Sequence, residues 1–410
     1  MTQHPDSSSS DHADPFDVLA RMIPRHVWLS LGIVVVTVIA GLLLFDPQRP
    51  PSAEAGDETE TLEGRVTQVL AEERSQAEEG GEAGYLQTLL VEITHGVSRG
   101  EQIEIRNGEQ TVLLAENRAR PGDRILIDRT RGPDAVDIYT VNDFIRWPAL
   151  LTLALVFGVA TVLVGGWVGL RALISMGFSV LIIAFFIVPG ILAGYDPLII
   201  CILGAAALMT ATLYLTYGWT WKTHAALMAL GISLLITSLL SALFVSWARL
   251  SGYGSESAMF LRFSAGIQID MRGVLLGSII LGALGVLDDV TTNQASVAFQ
   301  LKRAAPDLGW LDLFRDSMVV GRDHIAAVVN TLLLAYVGAS LTLLLLVAAQ
   351  DVPLDHMVNQ AFITEEVVRT LVGSLGLVLA TPITSLIAGA LAQRKHGVEA
   401  TPSVMDVEVL

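Results

Sequence analysis

The chain has 410 residues, of which 52% are hydrophobic and only 16% charged, and its formal net charge is −16. That is too apolar for a water-soluble domain of this length, and the acidic balance argues against a nucleic-acid partner. The single cysteine, Cys201, excludes an intrachain disulfide and a thiolate metal cluster, and is expected to pack as a small apolar side chain.

In chain order, residues 1–26 are rich in Ser and Asp and are expected to form a disordered acidic cytoplasmic tail. An apolar run at 27–45 follows, the first of eight. The others are 148–166, 170–193, 197–217, 225–247, 273–290, 325–349 and 367–392. Each run has about 18 residues or more, enough to cross a hydrocarbon core about 30 Å thick. The first run is longer than the apolar part of a signal peptide and follows an acidic tail, which predicts a retained signal anchor.

Residues 46–147 have a different texture. Asp46-Pro47 and Arg49-Pro50-Pro51 break the helix and open a linker, and residues 54–82 hold ten carboxylates in chain expected to be solvated. Six segments of period two come next: LEGRVTQVL from Leu62, YLQTLLVEITHG from Tyr85, EQIEIRNG from Glu101, QTVLLAE from Gln110, DRILIDR from Asp123 and AVDIYTV from Ala135. Turn residues such as Arg120-Pro121-Gly122-Asp123 separate them, so a small all-β extracytoplasmic domain is predicted, a closed or nearly closed barrel of the OB type. His95 stands alone beside Gly96 and reads as a loop residue. With no His, Cys or carboxylate cluster of catalytic spacing, this domain is expected to cap the membrane domain, or to bind an envelope protein, and to hold no active site.

Residues 148–392 form a predicted seven-helix membrane domain, and 393–410 a cytoplasmic tail. Placing the N-terminus inside puts Arg21, Arg25, Arg171, Lys222, Lys302, Arg303, Arg315, Arg322, Arg394 and Lys395 on the cytoplasmic side, which predicts cytoplasmic termini in a bacterial inner membrane. Small-residue clusters such as Gly165-Gly166 and Gly204-Ala205-Ala206 favour close helix packing in lipid.

The last three spans carry the polar residues. In the sixth, Ser278, Gly282, Gly285, Asp289, Asn293 and Ser296 step by three and four, a small-and-polar stripe on one helix face, with Asp288 about 100° away. Carboxylates at membrane depth cost roughly 2.5–3.5 kcal/mol each, so such a stripe is expected to face protein or water. Asp288 and Asp289 would instead be cheap if they lay at the hydrated membrane surface. The seventh span brings Arg322, Asp323, His324, Asn330 and Tyr336; Asp323 and Asn330 share a face. In the eighth, Glu365 and Glu366 stand four and three residues before Arg369 and either can bridge to it. Arg369, Gly373, Gly376 and Ala380 form a second small-residue stripe, and Pro382 frees the Val378 carbonyl and can act as a hinge. Together Asp288, Asp289, Asn293, Asp323, Asn330, Glu365, Glu366 and Arg369 are the predicted ion- or solute-binding set. Gly282, Gly285, Gly373, Gly376 and Pro382 are the predicted packing or hinge positions.

Three stretches, GALGVLDDVTTNQAS (282–296), GRDHIAAVVNTLLLAYVGA (321–339) and EEVVRTLVGSLGLVLATPIT (365–384), occur in this order after an extracytoplasmic insert. In this the chain resembles the YibE/F-like family of bacterial multi-pass membrane proteins. The resemblance implies a polytopic helical membrane protein and directs attention to the acids of the first stretch, where the family commonly carries one aspartate and this chain carries two. It implies no substrate and no reaction.

The expected function is therefore a secondary transporter or channel for an ion or small solute, working through a polar cavity between the sixth, seventh and eighth spans. The alternative is a non-transporting membrane scaffold whose β domain binds an envelope partner. No cofactor is expected, no enzyme chemistry is predicted, and no GxxxxGK[ST] loop occurs to bind a nucleotide.

Overall fold

The computed structural model describes residues 25–45, 60–74, 84–96, 98–109, 113–131, 137–263, 268–349 and 353–399. Most of the predicted acidic tail, the linker after Phe45, much of the acidic run at 54–82 and the end of the C-terminal tail lie outside them. The chain divides into two compact units, residues 51–160 and residues 1–50 with 161–410.

The first unit is a curled half-barrel. Its five strands are β1 (Glu60–Arg74), β2 (Tyr85–His95), β3 (Gln102–Asn107), β4 (Arg124–Arg131) and β5 (Asp137–Phe144), all antiparallel in the order β3-β2-β1-β4-β5. Alternation puts Leu62, Val66, Leu89, Val91, Ile93, Ile103, Ile105, Ile125 and Ile127 into one apolar core. The curl has a local cause. β1 slips register against β2 three times, and each slip bends a strand. At Gly64 a side chain would collide with Ile127 and Val91 across the concave face. The edge strands β3 and β5 come within 8 Å between Cα atoms without pairing, so the sheet is an open half-barrel and not a closed one.

The predicted strand QTVLLAE lies partly outside the described residues, at 110–112. In its described part Leu113 forms an isolated bridge to Tyr85, and a short 3₁₀ turn, Ala115–Asn117, follows. Leu113 is buried but Leu114 is exposed, and Gly108, at φ 104°, packs against the Tyr85 carbonyl and turns the chain away from the ladder. Gln87 occupies a core position of β2; Ala119 satisfies its amide, accepting from Nε2 and donating to Oε1.

The second unit contains α1 (Arg25–Leu44), α4 (Pro197–Tyr217), α5 (Trp221–Trp247), α6 (Glu256–Phe263), α7 (Met271–Ala304), α8 (Trp310–Ala339), α9 (Leu341–Ala348), α10 (Leu354–Val358) and α11 (Ala361–Glu399). Between the β sheet and α4 runs α2 (Trp147–Ile182), then a π-helical turn at Ile183–Ile187 and α3 (Val188–Leu192). The wide turn precedes Pro189, which lacks an N–H to donate.

Two predicted spans, 148–166 and 170–193, are thus one helical segment of 46 residues. Straight, it would measure about 69 Å (46 × 1.5 Å), more than twice a hydrocarbon core of about 30 Å. It is broken at Gly166, whose φ of 55° and ψ of −136° suit only a residue without Cβ. Gly169 lies against the carbonyl of Thr161, eight residues upstream. In an unbroken helix that separation would be about 12 Å. Among the described residues, seven helices rather than eight have the length and apolarity to cross a membrane.

The core of the bundle is the trio α5, α7 and α11, with α8 against α11 and α7, and α4 between α7 and α1. Small residues set the close approaches, as lipid-soluble helices require. Gly41 of α1 touches the Phe185 carbonyl, Gly204 faces Ile187, and Gly277 of α7 meets the sulfur of Cys201. Cys201 is buried in this packing. Helix α8 begins at Trp310, fifteen residues before the predicted span, because the polar turn around Arg322 and Asp323 continues the helix without interrupting it.

Candidate functional site

Arg369 organises the polar end of the α7–α11 contact. Its Nη1 donates to the Ser278 hydroxyl at 3.0 Å, and its Nε lies 3.5 Å from Glu366 Oε1. The second contact is an ion pair without hydrogen-bond geometry, so the buried Nε–H has no acceptor. Glu365, four residues before Arg369, turns the other way. Only 6% exposed, it accepts from the Gly254 amide at 3.2 Å, in the loop between α5 and α6. Of the two bridges that the spacing allowed, the one to Glu366 forms.

These groups line a cavity of about 580 Å³ bounded by α6, α7, α9 and α11. Glu256, Glu365 and Glu366 line it against one guanidinium, Arg369. The wall thus carries three formal negative charges against one positive, a potential that draws cations. Glu366 also lines an adjoining apolar pocket of about 190 Å³ with Tyr336. Among the described residues no three His, Cys, Asp or Glu side chains are grouped as a metal-ligand set.

The predicted set does not converge on this cavity. Asp288, Asp289, Asn293, Asp323 and Asn330 are not among its lining residues. The reason is depth: Asp289 is eleven residues beyond Ser278 on the same helix, about 16 Å along its axis. Asp289 is exposed and accepts from Asn293 Nδ2 at 2.9 Å, one turn on. Asp288 is half-buried, with Oδ1 buried and unpartnered, beside Tyr217 at the end of α4. Arg322, Asp323 and Asn330 are exposed on α8, whereas the His324 Nε2 is buried without a partner. From Gly282 to Asn293 the stripe of α7 therefore turns to the open side of the bundle, while Ser278 at its start faces α11. A Cβ on Gly285 would touch nothing within 4 Å, and one on Gly282 only the Tyr336 hydroxyl, at 3.6 Å.

The second stripe is divided too. Gly376 is pressed against the Thr237 hydroxyl of α5, while a Cβ on Gly373 would meet nothing within 4 Å. α11 continues through Pro382. Thr381, Thr384 and Ser385 donate to the carbonyls of Leu377, Ala380 and Thr381, all in the turns that lead up to the proline.

A buried polar junction of three helices was not a predicted site. Gln294, 3% exposed, donates to the Ser317 carbonyl of α8 at 2.8 Å and to the Ser385 hydroxyl of α11 at 2.7 Å. Gly321 leaves room for it: a Cβ there would fall 3.0 Å from its Nε2. The signal was present in sequence as a long amide one position off the stripe, among small neighbours.

In the β unit, Arg129 holds Asp137 at 2.7 Å and Glu60 at 3.2 Å. The Arg129 hydrogen bond, then the charges of Arg129 and Arg131, hold the Asp137 carboxyl below the usual carboxylate range. Glu72 is held down likewise, first by the hydrogen bond from Gln87 and then by that from Arg118.

Comparison with known proteins is consistent with this architecture but sparse. No curated protein and no solved structure matches the chain. The YibE/F-like protein family model matches residues 153–394, more than half of the chain and nearly all of the helical unit after α1. The chain belongs to the YibE/F-like family.

Proposed function

We propose that this YibE/F-like protein is a secondary transporter or channel for an ion or small solute, with its binding site in the cavity around Arg369. The observation that carries the reading is a cavity of about 580 Å³ among apolar helices, walled by Glu256, Glu365, Glu366 and Arg369. Ionisable side chains in spanning helices are costly and mark ion or solute pathways. The excess of carboxylates favours a proton or small cation, with Arg369 as the internal counter-charge that a cation displaces.

In this reading the break at Gly166 lets the 46-residue segment cross twice, giving eight crossings with both termini on the cytoplasmic side of a bacterial inner membrane. The β unit is extracytoplasmic, and its strand order is the one a five-stranded OB barrel would have if opened between β3 and β5.

Flux of protons and monovalent cations into vesicles reconstituted with the full chain tests the reading. Glu365→Gln and Arg369→Gln should each lower flux at least ten-fold at equal reconstituted protein. Wild-type flux in both variants would sink it.

A second reading has one observation in its favour. Glu60, Arg129, Arg131 and Asp137 line a recess of about 340 Å³ in the β unit, a polar surface that an envelope protein could engage. The chain would then be a scaffold, and deleting 60–144 would abolish its cellular effect while Arg369→Gln would not.

A further inference from the structure

A second polar pocket lies in the helical unit, away from the cavity at Arg369. It has a volume of about 530 Å³ and is enclosed by the start of α5, the turn before it and the last turns of α7. Its chemistry is unlike that of the first cavity. The charged residues lining it are Lys222 and Arg303; Gln300 lines it too, and no aspartate or glutamate is on the wall. Lys222 is half-buried, and the charge that acts on it is the like charge of Arg303. Among the described residues neither cation forms an ion pair. Two cations sharing a pocket without a carboxylate repel one another, and an anion between them removes that cost.

The aromatic side chains give the pocket its setting. Tyr217, Trp219 and Trp221 stand on its rim, 38%, 58% and 53% exposed. The Lys222 ammonium lies over the Tyr217 ring, 5.2 Å from its centre, and Trp219 stacks on Tyr214 at 4.6 Å. The Tyr214 hydroxyl is hydrogen-bonded to His224 Nδ1 at 2.8 Å, which fixes the inner wall. Exposed Trp and Tyr at the end of spanning helices are the side chains that settle at the level of lipid headgroups. Paired Lys and Arg beside an amide donor suit phosphate oxygens, the guanidinium by its planar fork and the ammonium as a point charge.

We infer that the pocket between the α4–α5 turn and the end of α7 binds a phosphate-bearing anion through Lys222, Arg303 and Gln300. An anionic phospholipid headgroup and free phosphate share this chemistry, and anionic headgroups occupy basic pockets between spanning helices at this depth.

The full chain in detergent is titrated in two arms, with short-chain phosphatidylglycerol and with inorganic phosphate at constant ionic strength, following tryptophan fluorescence from Trp219 and Trp221. Saturable binding is expected in at least one arm, weakened ten-fold or more in Lys222→Gln/Arg303→Gln and retained in Lys222→Arg. Response to phosphatidylglycerol alone assigns the site to a headgroup, and response to inorganic phosphate to a soluble anion. Absence of saturable binding in both arms overturns the proposal, as does wild-type affinity in the double variant. If the double variant does not fold, the single change at exposed Arg303 to Gln is read against the same wild-type curve.

Discussion

Arg369 on α11 reaches across to α7 and donates to the Ser278 hydroxyl at 3.0 Å, a side-chain bond between residues 91 apart in sequence. The guanidinium has Glu366 on the same helix as ion partner, so Ser278 is what fixes its direction. Ser278→Ala should therefore cost about 0.6–1.5 kcal/mol, the range for one interhelical hydrogen bond in a membrane protein. Ser278→Thr, which keeps the hydroxyl, should cost less. Thermal unfolding in detergent measures both, and equal losses would show that the hydroxyl is not the source.

Gln294 ties three helices together through one amide, whereas its neighbour Asn293 bonds only Asp289 on its own helix. Gln294→Leu keeps the volume but leaves the Ser317 carbonyl without this donor, and should destabilise by about 1–3 kcal/mol. Exposed Asn293→Ala should stay within about 0.5 kcal/mol. A ranking in the opposite order, by the same unfolding measurement, would remove the junction from the account.

Glycines on α11 are predicted to differ in what they tolerate. Gly376→Val must displace Thr237 and its backbone-bonded hydroxyl, an overpacking cost of about 1–3 kcal/mol. Gly373→Ala meets nothing within 4 Å and gains helix propensity of up to about 1 kcal/mol. Comparable destabilisation in the two variants would contradict the packing described.

The β unit should loosen in acid at a defined place. Asp137 titrates near pH 3.9 when unfolded, about the usual value, and its folded value is depressed by Arg129. A depressed carboxylate contributes stability above its unfolded pKa and loses that contribution as pH falls through the folded one. Glu72 acts with the same sign. Hydrogen exchange of β5 amides, corrected for intrinsic rate, should thus accelerate between pH 6 and pH 3, and less so in Asp137→Asn. An identical pH response in that variant would exclude the pair as the cause.

How much of this was legible in the sequence follows from what each pattern depends on. The spans and five of the six strands follow from local periodicity, and local periodicity survives folding. The described end of QTVLLAE departs from the expectation because alternation describes a face without saying that a neighbouring strand is there to pair: after the bridge at Leu113 the chain turns into a 3₁₀ helix. The pairing of Glu366 with Arg369 is a three-residue step and was legible. The separation of Asp289 from Arg369 was not, because helical stepping gives azimuth around α7 and says nothing of the level at which α11 crosses it. Gln294, Ser317 and Ser385 belong to three helices, and so do not share any one sequence pattern. The Lys222–Arg303 pocket was out of reach for the same reason, its cations being 81 residues apart.

The glycine at 166 has a consequence beyond local geometry. Each traverse of a bilayer reverses the compartment into which the following segment emerges, so the count of traverses matters by its parity alone. If the 46-residue segment crosses twice, as we propose, the count is even and the two termini share a compartment; if it crosses once, the count is odd. Every cavity, loop and pocket after that point would then open to the opposite compartment. A side chain able to enforce α-helical dihedrals at position 166 would be a single-residue inversion of the whole downstream bundle.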